Sequence, residues 1–396
     1  MKLYCFELGR VTNLCLAELI SLFGEKNLVE KIGRTAIFNL EPLDPNLSRE
    51  TIQKLQAKLG GTIKISEVID SFPLRSEKPK VKIKKSLENI FENEFKDHAG
   101  SKIIFALSAV NIPSDPKIFL KSFLIFSKKF LKSLNLSSRF VNKPWSNPTP
   151  AQIYKSRAIE KGIDITILGG KTDLYITKTI SIQNIDAYSK RDYEKPFRDA
   201  HMGMLPPKLA QIMINLAEPS LALPCKTIYD PFCGSGTILM EALLQSKKAI
   251  GSDIDQKAVD GSIKNLEWLA KNFQDTKPDF KVFQKDARNI EEKNIDAIVS
   301  ETFLGPPQSK FPGEKTAEKI FQEISAIHNS WLPKAAKLLP KNGRIILCLP
   351  AFRTSKNSYK FFHALPLKRL NKDRLVYDRE DQTVAREIVI LEKNRN

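Results

Sequence analysis

The chain has 396 residues, of which 27% are charged, and its formal net charge is +18. A chain of this length is expected to form at least two domains, and its charge favours RNA, DNA or an anionic membrane surface as partner. No stretch approaches the roughly 20 apolar residues of a membrane span, and Glu7, Arg10 and Glu18 interrupt the apolar run that a signal peptide needs. We therefore expect a soluble cytoplasmic protein with no membrane partner.

The cysteines exclude two other classes of protein. There are five, they are scattered along the chain, and no pair has the Cys-x-x-Cys spacing. An odd number without paired spacing argues against both a disulfide framework and a zinc site. We expect reduced thiols and no metal.

The first region, residues 1–58, begins with a strand-like alternation and continues into a helix. Leu16, Leu19, Ile20 and Phe23 are expected to share one face of that helix. The pattern predicts a small α+β domain without a catalytic signal.

The second region, residues 59–186, is predicted to be another α/β domain. A helix is expected around Pro116 to Leu134. The candidate strands are Thr62 to Ile69, Lys102 to Val110 and Asp173 to Ile182.

The helix of this second region carries an aromatic stripe on a basic background. Phe119, Phe123, Phe126 and Phe130 recur at helical spacing, which predicts core packing in preference to base stacking. From Lys78 to Lys132 there are twelve lysines and five acidic residues. The lysines fit a phosphate-binding surface and a solvated basic face equally well.

The third region, residues 187–396, alternates short apolar runs with helical patterns, as a parallel sheet with crossover helices requires. Prolines and a glycine after Ser300 predict a loop, and Arg374 to Asp378 with Val384 to Leu391 predict a final antiparallel pair. The candidate parallel strands are Thr227 to Tyr229, Lys248 to Ser252, Lys281 to Gln284, Ala297 to Ser300 and Arg344 to Leu349.

A glycine turn joins the first of these strands to a helix. The sequence is Asp230-Pro-Phe-Cys-Gly-Ser-Gly-Thr237, and Gly234 and Gly236 allow a tight turn that a ligand can approach closely. Such turns hold nucleoside cofactors in doubly wound α/β domains. The candidate binding residues here are Asp230, Phe232, Gly234, Gly236 and Thr237.

Acidic residues follow the next two strands. Asp253 lies 17 residues beyond Gly236, close to the spacing of about 20 at which a carboxylate accepts from ribose hydroxyls. Asp286 is a candidate acceptor for an adenine amino group, with Ile254 and Ala287 beside the two carboxylates. The glycine turn and each of the two aspartates, taken alone, also fit the cap of a helix. The turn lacks the third glycine of a dehydrogenase fingerprint.

The sequence resembles the THUMP-containing tRNA guanine-N2 methyltransferases, which are class I enzymes with a Rossmann-like fold. The resemblance rests on Asp230 to Thr237, Lys195 to Ala210, Asn184 to Pro196, Phe6 to Arg10 and Gly60 to Lys64. It implies a ferredoxin-like domain (1–58), a THUMP RNA-binding domain (59–186) and a methyltransferase domain (187–396). It further implies S-adenosylmethionine as the cofactor, with its methionine ammonium near Asp230, and tRNA or other structured RNA as the partner.

The catalytic loop departs from that family. Its usual Asp-Pro-Pro-Tyr after the fourth strand is replaced by Glu301-Thr-Phe-Leu-Gly305. The resemblance implies that Glu301 accepts from the amino group and that Thr302 contributes its carbonyl. The aromatic ring of the family is either displaced to Phe303 or absent, with Leu304 at its usual position. Alternatively, Glu301 caps a loop and the enzyme is impaired.

We expect methyl transfer to an exocyclic amino nitrogen in structured RNA, with guanine N2 of tRNA as the favoured target. The alternatives are a DNA adenine or cytosine amino methyltransferase and an RNA-binding protein that keeps the cofactor without using it. His201 is expected in a lid over the cofactor, and Arg191 and Arg198 fit either phosphate contacts or linker charges. Some relatives use a small activating protein, for which the sequence carries no signal.

Overall fold

The computed structural model describes residues 2–44, 47–98, 100, 102–198, 204–273, 276, 278–355, 358–379 and 382–392. The chain divides into two compact units, each made of separate segments. The first comprises Met1–Arg10, Glu25–Ala57 and Thr62–Ile185. The second comprises Val11–Gly24, Lys58–Gly61 and Asp186–Asn396.

Among the residues that the structure describes, eight strands belong to the first unit and nine to the second. The first eight are β1 (Leu3–Leu8), β2 (Leu28–Ile32), β3 (Thr35–Asn39), β4 (Thr62–Pro73), β5 (Ile103–Val110), β6 (Ser138–Phe140), β7 (Gly162–Gly169) and β8 (Asp173–Ile182). The others are β9 (Thr227–Asp230), β10 (Lys248–Asp253), β11 (Phe280–Gln284), β12 (Ala297–Glu301), β13 (Arg344–Ser355), β14 (Ser358–Phe361), β15 (Lys368–Arg369), β16 (Leu375–Tyr377) and β17 (Val384–Glu392).

Ten α-helices lie within the described residues. They are α1 (Thr12–Phe23), α2 (Arg49–Lys58), α3 (Pro79–Phe95), α4 (Pro116–Ser133), α5 (Pro150–Ser156), α6 (Ile185–Tyr193), α7 (Pro207–Ala217), α8 (Thr237–Leu244), α9 (Gln256–Asn272) and α10 (Glu314–Leu338).

One sheet of eight strands runs through the first unit, in the order β2-β3-β1-β4-β8-β7-β5-β6. Its pairs are antiparallel except at one edge, where β5 pairs in parallel with β7 and with β6. Strand β1 pairs with β4, so the sheet contains strands from both of the first two predicted regions. The domain boundaries after residues 58 and 186 stay predictions.

Helix α4 shows why the phenylalanine stripe forms a core. The Asp115 side chain accepts a hydrogen bond from the Ile118 N–H (2.9 Å) and caps the helix ahead of Pro116. Phe119 and Phe123 are buried, and the other two stripe residues are half-buried against the same cluster. The prediction of core packing is confirmed.

The buried face of α1 differs from the predicted one. Leu16 and Ile20 are only half-buried, whereas Leu14, Leu22 and Glu18 are buried together with the two predicted residues. The predicted face was wrong because it was chosen from apolar residues alone. Such a choice cannot include a buried carboxyl group such as that of Glu18. Glu18 is tolerated there because it accepts hydrogen bonds from the Gly60 and Gly61 N–H groups (both 2.9 Å) and from Asn215 Nδ2 (2.7 Å).

The second unit is a doubly wound α/β domain, as predicted. Its sheet has the order β11-β10-β9-β12-β13-β17-β15, with β14 beside β13 and β16 beside β17. All five predicted parallel strands are present. The final antiparallel pair is confirmed as β16 with β17, while β14 and β15 were not predicted. Apolar clusters cover both faces of the sheet, one including α7, α8 and α9 and the other α10.

The strand order creates a crevice at the carboxyl end of β9. Strand β9 lies between β10 on one side and β12 on the other, and all three are parallel. Connections that leave a central strand in opposite directions open a space above it, where doubly wound sheets bind ligands. The glycine turn after β9 and the loop after β12 both lie at this end.

Two further observations concern the cysteines and the possible metal ligands. All five cysteines are buried free thiols. No three His, Cys, Asp or Glu side chains converge as metal ligands in the described parts of the chain. Within those same parts, no helix is long and apolar enough to cross a bilayer.

The α4 core predicts unequal effects for two phenylalanines. Phe123→Ala should lower the free energy of unfolding by about 3–5 kcal/mol, because it removes a fully buried ring. Phe126→Ala should cost clearly less, since that ring is half-buried. Denaturant unfolding of both variants measures the difference, and equal losses would contradict the assigned core.

Candidate cofactor and catalytic site

The glycine turn after β9 has the backbone geometry that its sequence predicts. Gly234 and Gly236 have φ values of 50° and 77°, and Gly236 is the N-cap of α8. A Cβ at Gly236 would lie 2.3 Å from Ser262 Oγ, whereas one at Gly234 would meet no heavy atom within 4 Å. Both positions therefore require glycine, and Gly234 leaves room for a ligand against the backbone.

Asp230 is a buried carboxyl group at the end of β9. Its Oδ1 accepts hydrogen bonds from Ser300 Oγ (2.6 Å) and from the Phe232 N–H (3.1 Å). Burial raises the pKa of Asp230 to about 8; the hydrogen bonds oppose this rise, and the carboxylates of Asp253 and Glu301 add to it. A cation placed beside Asp230 would favour its ionised form.

The side chains of Phe232 and Thr237 both contact other residues of the protein. Phe232 packs edge-on against Trp331, with 5.5 Å between ring centroids. Thr237 is buried, and its Oγ1 accepts a hydrogen bond from Lys195 Nζ (2.9 Å). Their assignment to the cofactor site stays a prediction.

Asp253 is held directly against the glycine turn. Its Oδ2 accepts from the Gly234 N–H (2.9 Å) and its Oδ1 from the Asp255 N–H (3.0 Å). Ile254, the next residue, is 65% exposed. The structure thus places a carboxylate and an exposed apolar side chain beside the space at Gly234, where a ribose and an adenine are expected.

Asp286 has a protein partner of its own. It caps the short 3₁₀ turn Ala287–Asn289, and both of its carboxylate oxygens accept from Arg288 Nε at 2.9–3.0 Å. The hydrogen bond from Arg288 lowers the pKa of Asp286. Ala287 is buried. An adenine amino group would have to share the Asp286 carboxylate with an exposed arginine, so the assignment stays a prediction.

The three predicted catalytic residues are adjacent but face different surroundings. Glu301 ends β12, and its Oε1 accepts from Arg386 Nε (2.6 Å). Thr302 is buried, and its N–H (3.3 Å) and Oγ1 (3.2 Å) both donate to the Cys348 carbonyl of β13. Phe303 is 45% exposed. Of the three, Glu301 and Phe303 have side chains available to a substrate.

Leu304 lies where the family has its aromatic residue, and it packs against the apolar cluster of α7, α8 and α9. It therefore cannot stack on a base from the usual position. The ring of Phe303 is exposed in this loop, and its role as the displaced aromatic group stays a prediction.

Ser300 connects the glycine turn to this loop. It lies one residue before Glu301 in β12 and donates its hydroxyl hydrogen to Asp230. Because β12 and β9 are neighbours in the sheet, this bond fixes the loop relative to the turn. Ser300 was not singled out from the sequence, since a serine in an apolar strand carries no distinctive signal.

Two other residues of the site were also missed. Arg386 is buried on β17, where the charged pair Arg386 and Glu387 interrupts an apolar run and was a usable signal. Asn265 of α9 donates from Nδ2 to the carbonyls of Phe197 (2.9 Å) and Ser235 (2.8 Å), and its Oδ1 accepts from the Phe197 N–H (2.9 Å). It joins the 195–198 segment to the glycine turn. Polar residues are common in amphipathic helices, so the sequence did not indicate this role.

Of the remaining candidates, Arg191 is a structural residue. It is buried and donates from Nε to Glu241 Oε1 (2.7 Å), so the expectation of a phosphate contact is wrong for this side chain. Arg198 is exposed and lies over the ring of Tyr193 at 5.6 Å. His201 lies outside the described residues.

Known proteins resemble the chain around this site. A model of the RMKL-like methyltransferase domain family matches residues 195–362, and a model of the DNA methylase family matches residues 67–265. Both matches contain the glycine turn and strand β10. Only the first contains Glu301.

Curated relatives indicate a more specific family within the methyltransferases. The tRNA (guanine(10)-N2)-dimethyltransferase of Methanothermobacter thermautotrophicus is 31% identical over 179 residues, 45% of this chain and 47% of the relative. The protein of the same name from Methanocaldococcus jannaschii is 32% identical over 160 residues, 38% of this chain and 44% of the relative. A probable tRNA (guanine(10)-N2)-dimethyltransferase of Methanothermococcus thermolithotrophicus is 31% identical over 126 residues, 30% of this chain and 72% of that relative.

The chain belongs to the tRNA guanine-N2 methyltransferase family. Its matched part spans less than half the length of the first two of these relatives. Among solved structures, TrmN from Thermus thermophilus aligns over 99% of both chains with a TM-score of 0.54 and 17% identity. At this level of identity the likeness is one of fold.

The buried carboxyl group of Asp230 predicts that the variant Asp230→Asn becomes more stable, relative to the parent chain, as pH rises. The pKa of Asp230 is raised from 3.8 to about 8, so its contribution to stability is complete below pH 4 and is lost as pH rises through 8. Asp230→Asn keeps the acceptor for Ser300 and the Phe232 N–H and removes the charge. Its advantage over the parent chain should grow by roughly 2–3 kcal/mol between about pH 5.5 and 8.5.

Thermal and denaturant unfolding without cofactor at both pH values measure this difference. The control is Asp255→Asn, since Asp255 caps α9 at the surface and asparagine caps equally well. A pH profile of Asp230→Asn parallel to that of the control would contradict the assigned pKa.

Proposed function

We propose that the protein transfers the methyl group of S-adenosylmethionine to an exocyclic amino nitrogen of structured RNA, with guanine N2 of tRNA as the target. The observation that carries the proposal is the Ser300–Asp230 hydrogen bond, which joins the glycine turn to the loop with Glu301. A cofactor turn and a carboxylate at neighbouring strand ends form the minimal site for transfer to a base. Membership of the family supports the same function.

The cofactor would lie along the carboxyl ends of β9, β10 and β11. Asp230 would face its methionine ammonium, and the Gly234 backbone would let the chain approach closely. Asp253 would accept from the ribose hydroxyls. Ile254 and the Asp286–Ala287 turn would border the adenine. When bound, the cofactor would supply a methyl group attached to a sulfonium. Loss of the methyl group converts the sulfonium into a neutral thioether.

Glu301 would orient the substrate amino group. Its Oε1 is occupied by Arg386, and its Oε2 has no partner among the residues that the structure describes. That second oxygen would accept a hydrogen from the amino group and direct the nitrogen lone pair to the methyl group. A nitrogen–carbon bond forms as the carbon–sulfur bond breaks, and the amino proton leaves to Glu301 or water. Catalysis would come mainly from positioning.

Arg386 would compensate for the changed loop. A glutamate has one more rotatable bond than the aspartate of the family, and the prolines that stiffen the usual loop are absent. The buried guanidinium fixes one carboxylate oxygen of Glu301 and so restricts the longer side chain. Phe303 would stack on the base from the exposed side of the loop.

The three regions of the chain would have different roles. We assign residues 1–58 to a ferredoxin-like domain, 59–186 to a THUMP domain that holds the RNA, and 187–396 to the methyltransferase domain. The basic composition of the second region and its resemblance to THUMP support the assignment.

A second candidate is methyl transfer to an amino group of DNA. The DNA methylase family match to residues 67–265 favours it. That match ends before Glu301, so it does not include the loop that would meet the base.

Glu301→Ala should reduce methyl incorporation into tRNA by at least about 100-fold, since orientation and proton acceptance would both be lost. Binding of S-adenosylmethionine should stay unchanged. Tritium transfer into tRNA from cells lacking the protein, with calorimetry for the cofactor, measures the two effects. Glu323→Ala, an exposed glutamate on α10, is the matched control.

Each other outcome of this experiment has a defined meaning. Equal turnover by Glu301→Ala would remove Glu301 from the mechanism. Cofactor binding without incorporation by the unmodified chain would indicate an RNA-binding protein that does not use its cofactor.

Whether the protein prefers RNA or DNA is tested by a separate measurement. Filter binding at matched salt should show tighter binding of labelled tRNA than of duplex DNA. Preferential binding of DNA would favour the second candidate. Mass spectrometry of nucleosides from cells with and without the protein then identifies the methylated base.

A further inference from the structure

The chain that follows α6 carries a lysine into the interior, beside the glycine turn. Lys195 is 3% exposed, and its Nζ donates a hydrogen bond to Thr237 Oγ1 (2.9 Å). Thr237 is the last residue of the turn and the first of α8. Asn265 fixes the same part of the chain through two hydrogen bonds to the backbone of Phe197 (both 2.9 Å). The ammonium group of Lys195 is therefore held at one end of the turn, while Asp230 stands at the other.

The ammonium group of Lys195 has no counter-ion in contact with it. Within the described parts of the chain it forms no ion pair and donates one hydrogen bond, although an ammonium group has three hydrogens to donate. Glu241, an acid close enough to affect it, is already paired with Arg191 Nε (2.7 Å). Burial lowers the pKa of Lys195 to about 8; Asp192 and Glu241 oppose this change, and Arg198 adds to it. A buried charge without a contacting partner is unfavourable, and such groups are typical of functional sites.

The start of α8 adds further groups that favour an anion. The N–H groups of Thr237, Ile238 and Leu239 lie in the first turn of the helix, where they cannot bond within it. Gly236, the N-cap, has no side chain to accept from them, and no other acceptor comes from the described residues. Three N–H donors and one ammonium group therefore lie together at the positive end of the helix dipole, an arrangement that binds an anion.

The other end of the turn restricts the kind of anion. Asp230 is a buried acid whose ionised form needs a cation, and Lys195 is a buried base whose ionised form needs an anion. An α-amino acid group carries an ammonium and a carboxylate on one carbon atom, so it supplies both. An inorganic anion or a phosphate would leave Asp230 without a partner. S-adenosylmethionine, the cofactor of the family, ends in such an amino acid group.

We infer that Lys195 binds the carboxylate of S-adenosylmethionine, together with the N–H groups in the first turn of α8, while Asp230 meets the ammonium group. The inference deepens the proposed function, because it rests on the placement of the cofactor at the glycine turn. It adds a cofactor-binding residue that the sequence did not indicate, since one lysine among many carries no distinctive signal.

A purely structural role for Lys195 makes a different prediction. In that role its bond to Thr237 would only attach the chain after α6 to α8. Loss of the lysine would then change the shape of the turn and weaken every ligand of the turn to the same extent. A partner of the carboxylate affects only those ligands that carry a carboxylate.

The test compares three ligands by calorimetry on the full chain. S-adenosylmethionine has the complete amino acid group, decarboxylated S-adenosylmethionine lacks only the carboxylate, and methylthioadenosine lacks the whole group. The parent chain should bind the complete cofactor about 10- to 100-fold more tightly than the decarboxylated form, the range expected for hydrogen bonds between charged groups. This comparison needs no substitution, so the inference stays testable if a variant fails to fold.

Three variants then assign the preference to the lysine. Lys195→Met keeps an unbranched side chain without the charge, and it should bind the complete cofactor about 10- to 100-fold more weakly than the parent chain does. Its affinity for the two ligands without a carboxylate should be unchanged. Thr237→Val removes the acceptor that positions the lysine and should reduce the preference by a smaller factor. Lys190→Met, the matched control, removes a lysine of α6 that lies over the Phe273 ring and should change none of the three affinities.

Two results would overturn the inference. One is equal affinity of the parent chain for S-adenosylmethionine and its decarboxylated form. The other is an equal loss of affinity for all three ligands in Lys195→Met, which would show a structural role. In either case, binding of methylthioadenosine by the parent chain would leave the proposed function standing. A parent chain that binds none of the three ligands would contradict the proposed function and the inference together.

Discussion

The site depends on one buried carboxyl group. Asp230 is placed at the end of β9 by the sheet, and it is tolerated in the interior because Ser300 and the Phe232 backbone donate hydrogen bonds to it. The same bond from Ser300 fixes the start of the loop that carries Glu301. The glycine turn and the loop after β12 are therefore coupled through a carboxyl group whose ionisation is costly until a cation approaches.

The pairing of Glu301 with Arg386 shows how a changed loop can still present a carboxylate. The family motif restricts its aspartate with prolines, whereas here a guanidinium on a distant strand restricts a longer glutamate. The restriction has moved from the backbone of the loop to the tertiary structure. This substitution keeps the charge at the end of β12, where Phe303 is exposed and Leu304 packs against an apolar cluster.

The first unit uses polar side chains to stabilise an unusual backbone. Asn142 and Asn147 complete the edge of β5, and the strained Trp145 between them stands beside lysines. In the second unit, Asn265 has a comparable role, since its amide links the 195–198 segment to the glycine turn.

The sequence by itself determined the doubly wound domain, the phenylalanine core of α4, and the turn with Gly234, Gly236 and Asp253. These features depend on periodicity and on local backbone requirements, which neighbouring residues encode. Only the tertiary structure brought Arg386 to Glu301, Ser300 to Asp230 and Glu18 to the backbone of Gly60. It also turned the buried face of α1 away from Leu16 and Ile20 and gave Trp145 its backbone conformation. Each of these depends on a hydrogen-bond partner far away in the sequence, and no local pattern specifies which buried polar groups will meet.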